Sequence, residues 1–430
     1  MARGVRTVSG AEASGKPVLS GFAEPEREDE RMRIAMISGH ADPSDEASGG
    51  RGAYVGDLSA ALAAEGHDVR VYTRRVADDR AETADVGAGV RVVRVPAGPP
   101  RPLSDDELLP YTKDFSRWLV ERWRGDGWIP AVAHAHYWTS GLAAVTAGRQ
   151  AGVPVVQSYH DLGALARRND APAGPPQRIG YERVLGRAVD RIVAQSQHEL
   201  RELVRMGVPR SRLVLIPGGV DDERFHPDGP AQPRTVRRRV LSVGALTTRK
   251  GHQDVIAALR LVPDAECVVV GGPPAASLAT DPAARELRAL ADRHELGDRL
   301  QLVGRVPRAE MPSWYRSADL LVAAPWYEPF GLSPLEAMAC GVPVVGTAVG
   351  GIAETVVEGL TGDLVPPRDP RALGTAIRRL LGDPVRHLAY ATAAIDRARQ
   401  VYSWKRVAAQ LSSVYSALGG LRTRPSGAVA

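Results

Sequence analysis

Cysteine is scarce in this chain. The 430 residues include only Cys267 and Cys340, and both lie in apolar segments. Neither a disulfide framework nor a cysteine-based metal site is therefore predicted. This pattern suits a reducing compartment, and we expect a cytoplasmic protein.

Long apolar runs are also missing. No uninterrupted apolar segment reaches the roughly 18 residues that cross a bilayer, so no transmembrane segment is expected. Residues 1–31 are polar and charged and lack the apolar core of a signal peptide. We predict that they form a disordered extension.

Aromatic residues make up only 5% of the chain, and the net charge is a modest +5. Surfaces that bind single-stranded nucleic acid combine a basic groove with interleaved aromatic side chains. A nucleic-acid partner is therefore not predicted. The small positive excess suits a cleft that receives phosphate groups.

Alternating apolar and amphipathic segments dominate the remaining sequence. Residues 33–38 and 68–73 are apolar runs typical of buried strands, and residues 54–65 between them have helical spacing. Such strand–helix–strand units form doubly wound parallel sheets, which bind ligands at the carboxyl ends of their strands. The length exceeds what one core usually organises, so two such domains are expected.

The chain loses its periodicity once in the middle. We predict a first domain over residues 32–217, a linker over residues 218–238 and a second domain over residues 239–401. Together with the extension, this division accounts for most of the chain.

The most informative stretch is residues 324–347, which has the pattern of a strand, a turn and a helix. Ser333, Pro334 and Glu336 are spaced as a helix cap, a first helical position and the acidic partner of a capping box. Glu328 lies on the preceding turn, with seven residues between it and Glu336. Both acids are expected to line one cleft, although a purely capping role for Glu336 is the structural alternative.

This stretch resembles the paired-glutamate motif of the retaining GT-B glycosyltransferases known as family 4, which includes sucrose-phosphate synthases and the mycothiol-pathway glycosyltransferase. The resemblance extends over residues 32–415. It implies two doubly wound, Rossmann-like domains that face a central cleft. The nucleotide-sugar donor would bind the C-terminal domain and the acceptor the N-terminal domain, to which a last helix near residues 402–420 would return.

The same resemblance implies roles for individual residues. Glu328 would hold sugar hydroxyls of the donor and Glu336 its ribose hydroxyls, while His160 would touch the transferred sugar. Glu328 and His160 are thus the catalytic candidates. The further donor-binding candidates are Gly49, Gly50, Arg249, Lys250, Arg305, Phe330, Gly331 and Leu332. His136 and Tyr137 are expected in the wall and support of the acceptor pocket.

From the residues alone, several of these positions have structural alternatives. The run containing Gly49 and Gly50 can provide simple flexibility, and His160 can cap a strand end. Lys250 can belong to an exposed basic turn. His134 and His136 lie on one face of an extended run, but no third metal ligand has a recognisable spacing, and packed histidines are commoner.

Two positions depart from the family pattern. Members of the mycothiol branch that bind a phosphorylated acceptor carry a hydroxyl residue where this chain has Asp161. A carboxylate would repel a phosphate and accept a hydroxyl or an ammonium group, unless Asp161 merely orients His160. Ala245 replaces an arginine common in relatives, and Arg249 is the plausible substitute.

We therefore predict a retaining glycosyltransferase that moves a hexose from a nucleotide-diphosphate sugar, most plausibly a UDP-sugar. The acceptor would be the hydroxyl of a small polar molecule such as a polyol, a sugar or an aminocyclitol. No Asp-x-Asp site is evident, so neither a metal nor another cofactor is expected. The alternatives are a cell-envelope lipid or polysaccharide glycosyltransferase using a UDP- or GDP-sugar, a nucleotide-sugar epimerase, and a non-catalytic nucleotide-sugar-binding protein. The oligomeric state is not predicted.

Overall fold

The computed structural model describes residues 31–45, 48–87 and 89–422. The predicted disordered extension, apart from Arg31, lies outside the described residues. Two parallel sheets organise the rest.

The first sheet has eight strands in the order β3-β4-β2-β1-β5-β6-β7-β8. Every neighbouring pair in it is parallel except β3 and β4. The strands are β1 (Arg33–Ile37), β2 (Asp68–Arg74), β3 (Thr83–Asp85), β4 (Val90–Val95), β5 (Val132–His136), β6 (Val155–Ser158), β7 (Arg191–Ala194) and β8 (Leu213–Leu215). The helices between them are α1 (Gly49–Ala64), α2 (Asp105–Leu108), α3 (Thr112–Gly125), α4 (Trp138–Ala151), α5 (Gly163–Arg168), α6 (Arg178–Ala188) and α7 (Gln197–Arg205).

The second sheet has six parallel strands in the order β11-β10-β9-β12-β13-β14. Its strands are β9 (Arg238–Val243), β10 (Ala265–Val270), β11 (Leu300–Gly304), β12 (Leu320–Ala323), β13 (Val344–Thr347) and β14 (Gly362–Val365). The helices are α8 (His252–Ala258), α9 (Pro282–Arg293), α10 (Met311–Arg316), α11 (Leu332–Ala339), α12 (Ile352–Thr355), α13 (Pro370–Leu381), α14 (Pro384–Tyr402) and α15 (Trp404–Arg422).

Both sheets are doubly wound, so the predicted fold class is confirmed. Each chain path begins in mid-sheet, builds outward on one side and then crosses to the other, which creates switch points between β1 and β5 and between β9 and β12. Ligands of such sheets bind outside the strand ends at these points. We call the first sheet with helices α1 to α7 the N-terminal half and the second sheet with helices α8 to α14 the C-terminal half.

The last helix, α15, packs on the N-terminal half. Its Trp404, Leu411 and Tyr415 are buried in one core with Ile34 and Met36 of β1. The Tyr415 hydroxyl lies 2.6 Å from Nδ1 of His134. The chain thus crosses between the halves twice, and the two crossings bridge at Val220 and Ser403.

Helix α1 begins five residues earlier than the sequence pattern indicates. The helical spacing predicts a start at residue 54, whereas α1 starts at Gly49. The glycine-rich run therefore forms the first turn of the helix. Its backbone N–H groups lack partners within the helix and are available to an anion in front of it.

Within the described part of the chain, no helix is both long and apolar enough to span a membrane.

Gly251 shows how closely the C-terminal half is packed beside the cleft. It turns the chain into α8 with φ of +72°, and a Cβ built on it would lie 1.8 Å from the carbonyl oxygen of Ala324. Gly297 also has a positive φ, +56°, but a Cβ there would meet no atom within 4 Å. The two positions differ in the space around them rather than in backbone conformation.

Gly297→Ala is expected to cost about 1 kcal/mol of stability, because the left-handed conformation alone is strained. Gly251→Ala should cost on the order of 3 kcal/mol or more, since the backbone of the β12 loop must also move. Urea unfolding of the two variants measures the difference. Equal losses would show that the loop accommodates a methyl group without strain.

Candidate active site

A cleft of about 910 Å³ lies between the two halves. It is lined by residues that follow strands β1, β6, β9, β10 and β12, as expected for two doubly wound sheets. Of the predicted site residues, those that line it are Gly49, Gly50, His160, Asp161, Arg249, Lys250, Arg305, Glu328, Phe330, Leu332 and Glu336.

Glu328 and Lys250 form an ion pair in this cleft, with 2.5 Å between Nζ and Oε2. Burial is the largest influence on the pKa of Glu328 and would raise it. The positive charge and hydrogen bond of Lys250 outweigh burial, so the pKa of Glu328 lies below its ordinary value. Two residues 78 positions apart therefore present a carboxylate and an ammonium side by side.

A glycine pair holds the backbone of the Glu328 loop. The Gly351 N–H donates to the carbonyl oxygen of Glu328 at 3.0 Å. A Cβ on Gly350 would lie 2.0 Å from the same oxygen, and one on Gly351 would lie 2.4 Å from that of Phe330. Only residues without a Cβ permit this approach, which positions the acidic loop.

The predicted capping box in front of α11 is wrong. The helix begins at Leu332 with Gly331 in the left-handed conformation as its N-cap, and no side chain caps it. Ser333 is therefore already helical. The Glu336 carboxylate instead accepts hydrogen bonds from Arg308 at 2.8 Å and from the Tyr315 hydroxyl at 2.7 Å. Glu336 is free of a capping role and lines the cleft.

His160 lies just past the end of β6 in a left-handed conformation, with φ of +63°. Its Nε2 is 2.8 Å from Nδ1 of His136. Burial chiefly, and then the nearby His136 and Arg51, lower the pKa of His160 well below its ordinary value. The ring is therefore neutral and presents one donor and one acceptor nitrogen.

His136 and Tyr137 do not line the cleft. His136 is stacked behind His160, with 5.0 Å between ring centroids, and burial lowers its pKa to about 3. The Tyr137 hydroxyl donates to Asp105 at 2.6 Å. Both residues support the cleft wall from behind, and neither faces the cleft directly.

Asp161 lines the cleft beside His160. Its Oδ1 accepts a hydrogen bond from the Tyr327 hydroxyl at 2.7 Å, and its Oδ2 lies 3.5 Å from the Arg178 guanidinium. Arg178 is buried and also donates from Nε to Glu182 at 2.7 Å. The nearest guanidinium is therefore already engaged by two carboxylates.

Arg249 donates to the carbonyl oxygen of Tyr327 at 2.8 Å and, with Lys250, follows strand β9. On the opposite wall, a Cβ on Gly50 would meet the Leu332 side chain at 3.6 Å. The first turn of α1 therefore faces the start of α11 across the cleft. Gly331 lies behind this wall and shapes it through its backbone.

The cleft residues that the sequence-based predictions omit include Arg51, Asp57, Arg308 and Tyr327. Arg51 directly follows the glycine pair, which was a usable signal, and its guanidinium lies 4.2 Å from the centroid of the Tyr137 ring. Nothing in the local sequence marks Arg308. Its contact to Asp57 at 2.7 Å joins the two halves, and its contact to Glu336 at 2.8 Å lies within the C-terminal half.

Among the described residues, no group of three or more His, Cys, Asp or Glu side chains is arranged to hold a metal ion.

Two protein-family models match the chain. The model for glycosyl transferases group 1 matches residues 230–401, and the model for the glycosyl transferase 4-like domain matches residues 49–219. The D-inositol 3-phosphate glycosyltransferase of Xylanimonas cellulosilytica is 35% identical over 408 residues, which are 89% of this chain and 96% of the relative. A second relative of that name, from Catenulispora acidiphila, is 33% identical over 412 residues, which are 89% of this chain and 94% of the relative.

Solved structures of glycosyltransferases are also similar to this chain. The sucrose-phosphate synthase of Thermosynechococcus elongatus superimposes with a TM-score of 0.83 at 30% identity, covering 91% of this chain and all of that one. An Anabaena protein, HepE, solved in complex with UDP and glucose, superimposes with a TM-score of 0.69 at 20% identity over 90% of this chain and all of that one. At that identity the second likeness concerns the fold alone.

The two facing doubly wound halves and the paired acids in the cleft define a glycosyltransferase of GT-B fold that uses a nucleotide sugar. The chain belongs to family 4, the group whose two domain models match its two halves.

Acidification should destabilise the protein. Burial lowers the pKa of several imidazoles, and five of them are those of His40, His134, His136, His160 and His252. Below about pH 6.5 these histidines bind protons in the unfolded chain, whereas the buried rings of the folded protein stay neutral. Their contribution to the free energy of unfolding is therefore fully present above that pH and is lost as the pH falls. Burial raises the pKa of Glu182 and Glu199 to about 7, which opposes the trend.

The five rings outnumber the two acids, so a net loss of a few kcal/mol is expected per pH unit below about 6.5. Melting temperatures at pH 7.5 and 5.5 in matched ionic strength measure it. A melting temperature that is equal or higher at pH 5.5 would contradict the neutral state of the buried rings.

Proposed function

We propose that the protein transfers a hexose from a UDP-sugar to a hydroxyl of a small polyol-like acceptor, with retention of the anomeric configuration and without a metal ion. The single observation that supports this most is the Glu328–Lys250 pair, which faces His160 from the other half of the same cleft. The donor would bind the C-terminal half and the acceptor the N-terminal half.

The donor diphosphate has a complementary surface. Arg249 and Lys250 follow β9, and the N–H groups of Gly49 and Gly50 begin α1. Cations and a helix N-terminus are the groups that stabilise a leaving diphosphate, taking the role that a metal has in other transferases. Arg51, on the same first turn of α1, would contribute a further positive charge toward the diphosphate.

The ribose and the sugar would bind the two acids. Carboxylate oxygens accept hydrogen bonds from hydroxyl groups, and Glu336 retains lone pairs beyond those that meet Arg308 and Tyr315. Glu328 would hold hydroxyls of the transferred sugar while its charge favours the positive character that develops at the anomeric carbon. Lys250 then passes from Glu328 toward the diphosphate as charge develops there.

Chemistry would be a front-face displacement, in which the acceptor oxygen attacks from the side that the diphosphate leaves. The acceptor proton would pass to the departing phosphate oxygen, so no protein base is needed. His160 would contribute a neutral ring that hydrogen-bonds the sugar through its other nitrogen, since its Nε2 is engaged with Nδ1 of His136 behind it.

The acceptor is proposed to be uncharged or cationic at the end that meets Asp161. Arg178 is already shared between Glu182 and Asp161, and the Tyr137 hydroxyl is bound to Asp105. Neither group is left to receive a phosphate. The inositol 3-phosphate in the names of the relatives supports a cyclitol scaffold, while Asp161 argues against its phosphate.

Glu328→Gln is expected to lower kcat by about tenfold to a thousandfold, because the shape is kept and the charge beside the reacting sugar is lost. Glu336→Gln is the matched control and should chiefly raise the KM for the donor. Steady-state kinetics of donor turnover distinguish the two. An unchanged kcat in Glu328→Gln would contradict the catalytic role proposed for Glu328.

The overall function is tested by incubating the protein with UDP-, GDP- and ADP-sugars, first alone and then with inositol, inositol phosphate and an aminocyclitol. We expect transfer with retained configuration from a UDP-sugar, and inositol or the aminocyclitol as the better acceptor. Asp161→Thr should increase the rate of transfer to the phosphorylated acceptor, whereas Asp79→Thr, at an exposed site away from the cleft, should leave that rate unchanged.

Each competing function has its own outcome. Transfer to lipid or polysaccharide but to no small polyol favours the cell-envelope alternative. A changed sugar without transfer identifies an epimerase, and binding without turnover identifies a sensor. If inositol phosphate is the best acceptor and Asp161→Thr improves it no further, the charge argument is wrong.

A further inference from the structure

We propose that Arg308 is a positioning residue that couples the donor's ribose to closure of the cleft, by joining Glu336 of the C-terminal half to Asp57 of the N-terminal half. The inference rests on the proposed function, because it takes Glu336 as the ribose ligand. It assigns to Arg308 and Asp57 a part in donor binding that neither local sequence indicates.

The geometry of the bridge is specific. Arg308 lies in a short 3₁₀ turn after β11, and its Nη1 donates to Glu336 at 2.8 Å. Its Nη2 donates to Asp57 of α1 at 2.7 Å. The Nε proton has no acceptor among the described residues. The orientation of the guanidinium is thus fixed by hydrogen bonds to one carboxylate from each half.

The bridge is largely withdrawn from solvent. The side chains of Asp57 and Glu336 are 12% and 9% exposed, and that of Arg308 is 28% exposed. Burial raises the pKa of Asp57, although Arg308 and Arg224 oppose it. In such surroundings an unpaired carboxylate is costly, so Asp57 gains substantially from Arg308 when the halves close.

The rigid guanidinium makes the two contacts interdependent. Its planar fork directs Nη2 toward Asp57 only while Nη1 is held by Glu336. Ribose hydroxyls that donate to Glu336 would hold this carboxylate, and with it the guanidinium plane, in one orientation. By linkage, if bound ribose strengthens the Arg308–Asp57 contact, this contact strengthens ribose binding by the same free energy.

Other contacts join the halves without involving Glu336. The Glu354 carboxylate accepts hydrogen bonds from the N–H groups of Gln197 and His198 at the start of α7. Tyr327 reaches Asp161 in the same region. A loss of closure in general would therefore affect every ligand of the cleft, whereas loss of the Arg308 bridge should affect ligands that contain ribose.

The test compares UDP with inorganic pyrophosphate, which contains the diphosphate but no ribose. Binding of both to the full-length protein is measured by calorimetry for wild type, Asp57→Asn, Arg308→Lys and the double variant. Asp57→Asn and Arg308→Lys should each lower the affinity for UDP by about fivefold to fiftyfold and the affinity for pyrophosphate by less than about twofold. The double variant should be no worse than Arg308→Lys, because both substitutions break one bridge.

Arg224→Ala is the matched control. Arg224 lies 3.7 Å from the other oxygen of Asp57, so its removal also strips a cation from Asp57. In the described part of the chain, Arg224 forms ion pairs with Asp57 and Asp221 but none with Glu336, so the UDP affinity of Arg224→Ala should remain within about twofold of wild type. Melting temperatures verify that each variant is folded.

Two results would overturn the coupling. If Asp57→Asn binds UDP like wild type while Arg308→Lys loses affinity, Arg308 merely orients Glu336. If Asp57→Asn weakens UDP and pyrophosphate equally, the bridge stabilises closure without reference to ribose. Failure of the wild type to bind or turn over any nucleotide sugar would instead defeat the proposed function.

Discussion

The ion pair between Lys250 and Glu328 is the interaction on which the rest of the cleft depends. Lys250 ends the turn after β9, and Glu328 lies on the loop after β12, the neighbouring strand across the switch point of the second sheet. Each strand end positions one charge. Their proximity outweighs the burial of Glu328 and holds the pKa of its carboxyl below the ordinary value.

Close backbone packing makes this pair possible. Gly251 lets the Lys250 turn lie against the backbone of Ala324, and Gly350 lets the next turn lie against that of Glu328. Loops that contact each other through backbone atoms have little room to shift. The acidic loop is therefore preorganised before a ligand arrives, and this spares the ordering cost that flexible loops incur on binding.

The N-terminal half uses a different device, a stack of neutral imidazoles. His134 lies 4.4 Å from His136, and His136 lies 5.0 Å from His160, measured between ring centroids. Burial keeps these rings uncharged, so they pack as flat polar groups beneath the cleft wall. The cleft thus combines the Lys250–Glu328 pair of the C-terminal half with a neutral imidazole from the N-terminal half, beside which the Asp161 carboxylate also lines the cleft.

Periodicity and turn residues in the sequence were sufficient for the sheet architecture and for placing the paired acids around one turn, because these features depend on short-range patterns. The resemblance to family 4 supplied the predicted site residues, of which eleven line the cleft. Local reasoning failed at α11. The Ser333 pattern had the spacing of a capping box, but the helix already begins at Leu332 after Gly331, and the Glu336 carboxylate is bound by Arg308 and Tyr315 instead.

The sequence by itself determined two doubly wound sheets and the residues that end their strands, because burial periodicity and backbone permissiveness are local properties of the chain. Only the tertiary structure decided that Tyr327 meets Asp161, that Arg178 is already engaged, and that Arg308 joins Asp57 to Glu336. These partners are separated by 166, 17 and up to 251 positions. Two of these contacts, Tyr327 with Asp161 and Arg308 with Asp57, join the two halves, whereas those of Arg178 lie within the N-terminal half. In each case the free energy of burying a charge selects among partners that no local pattern specifies.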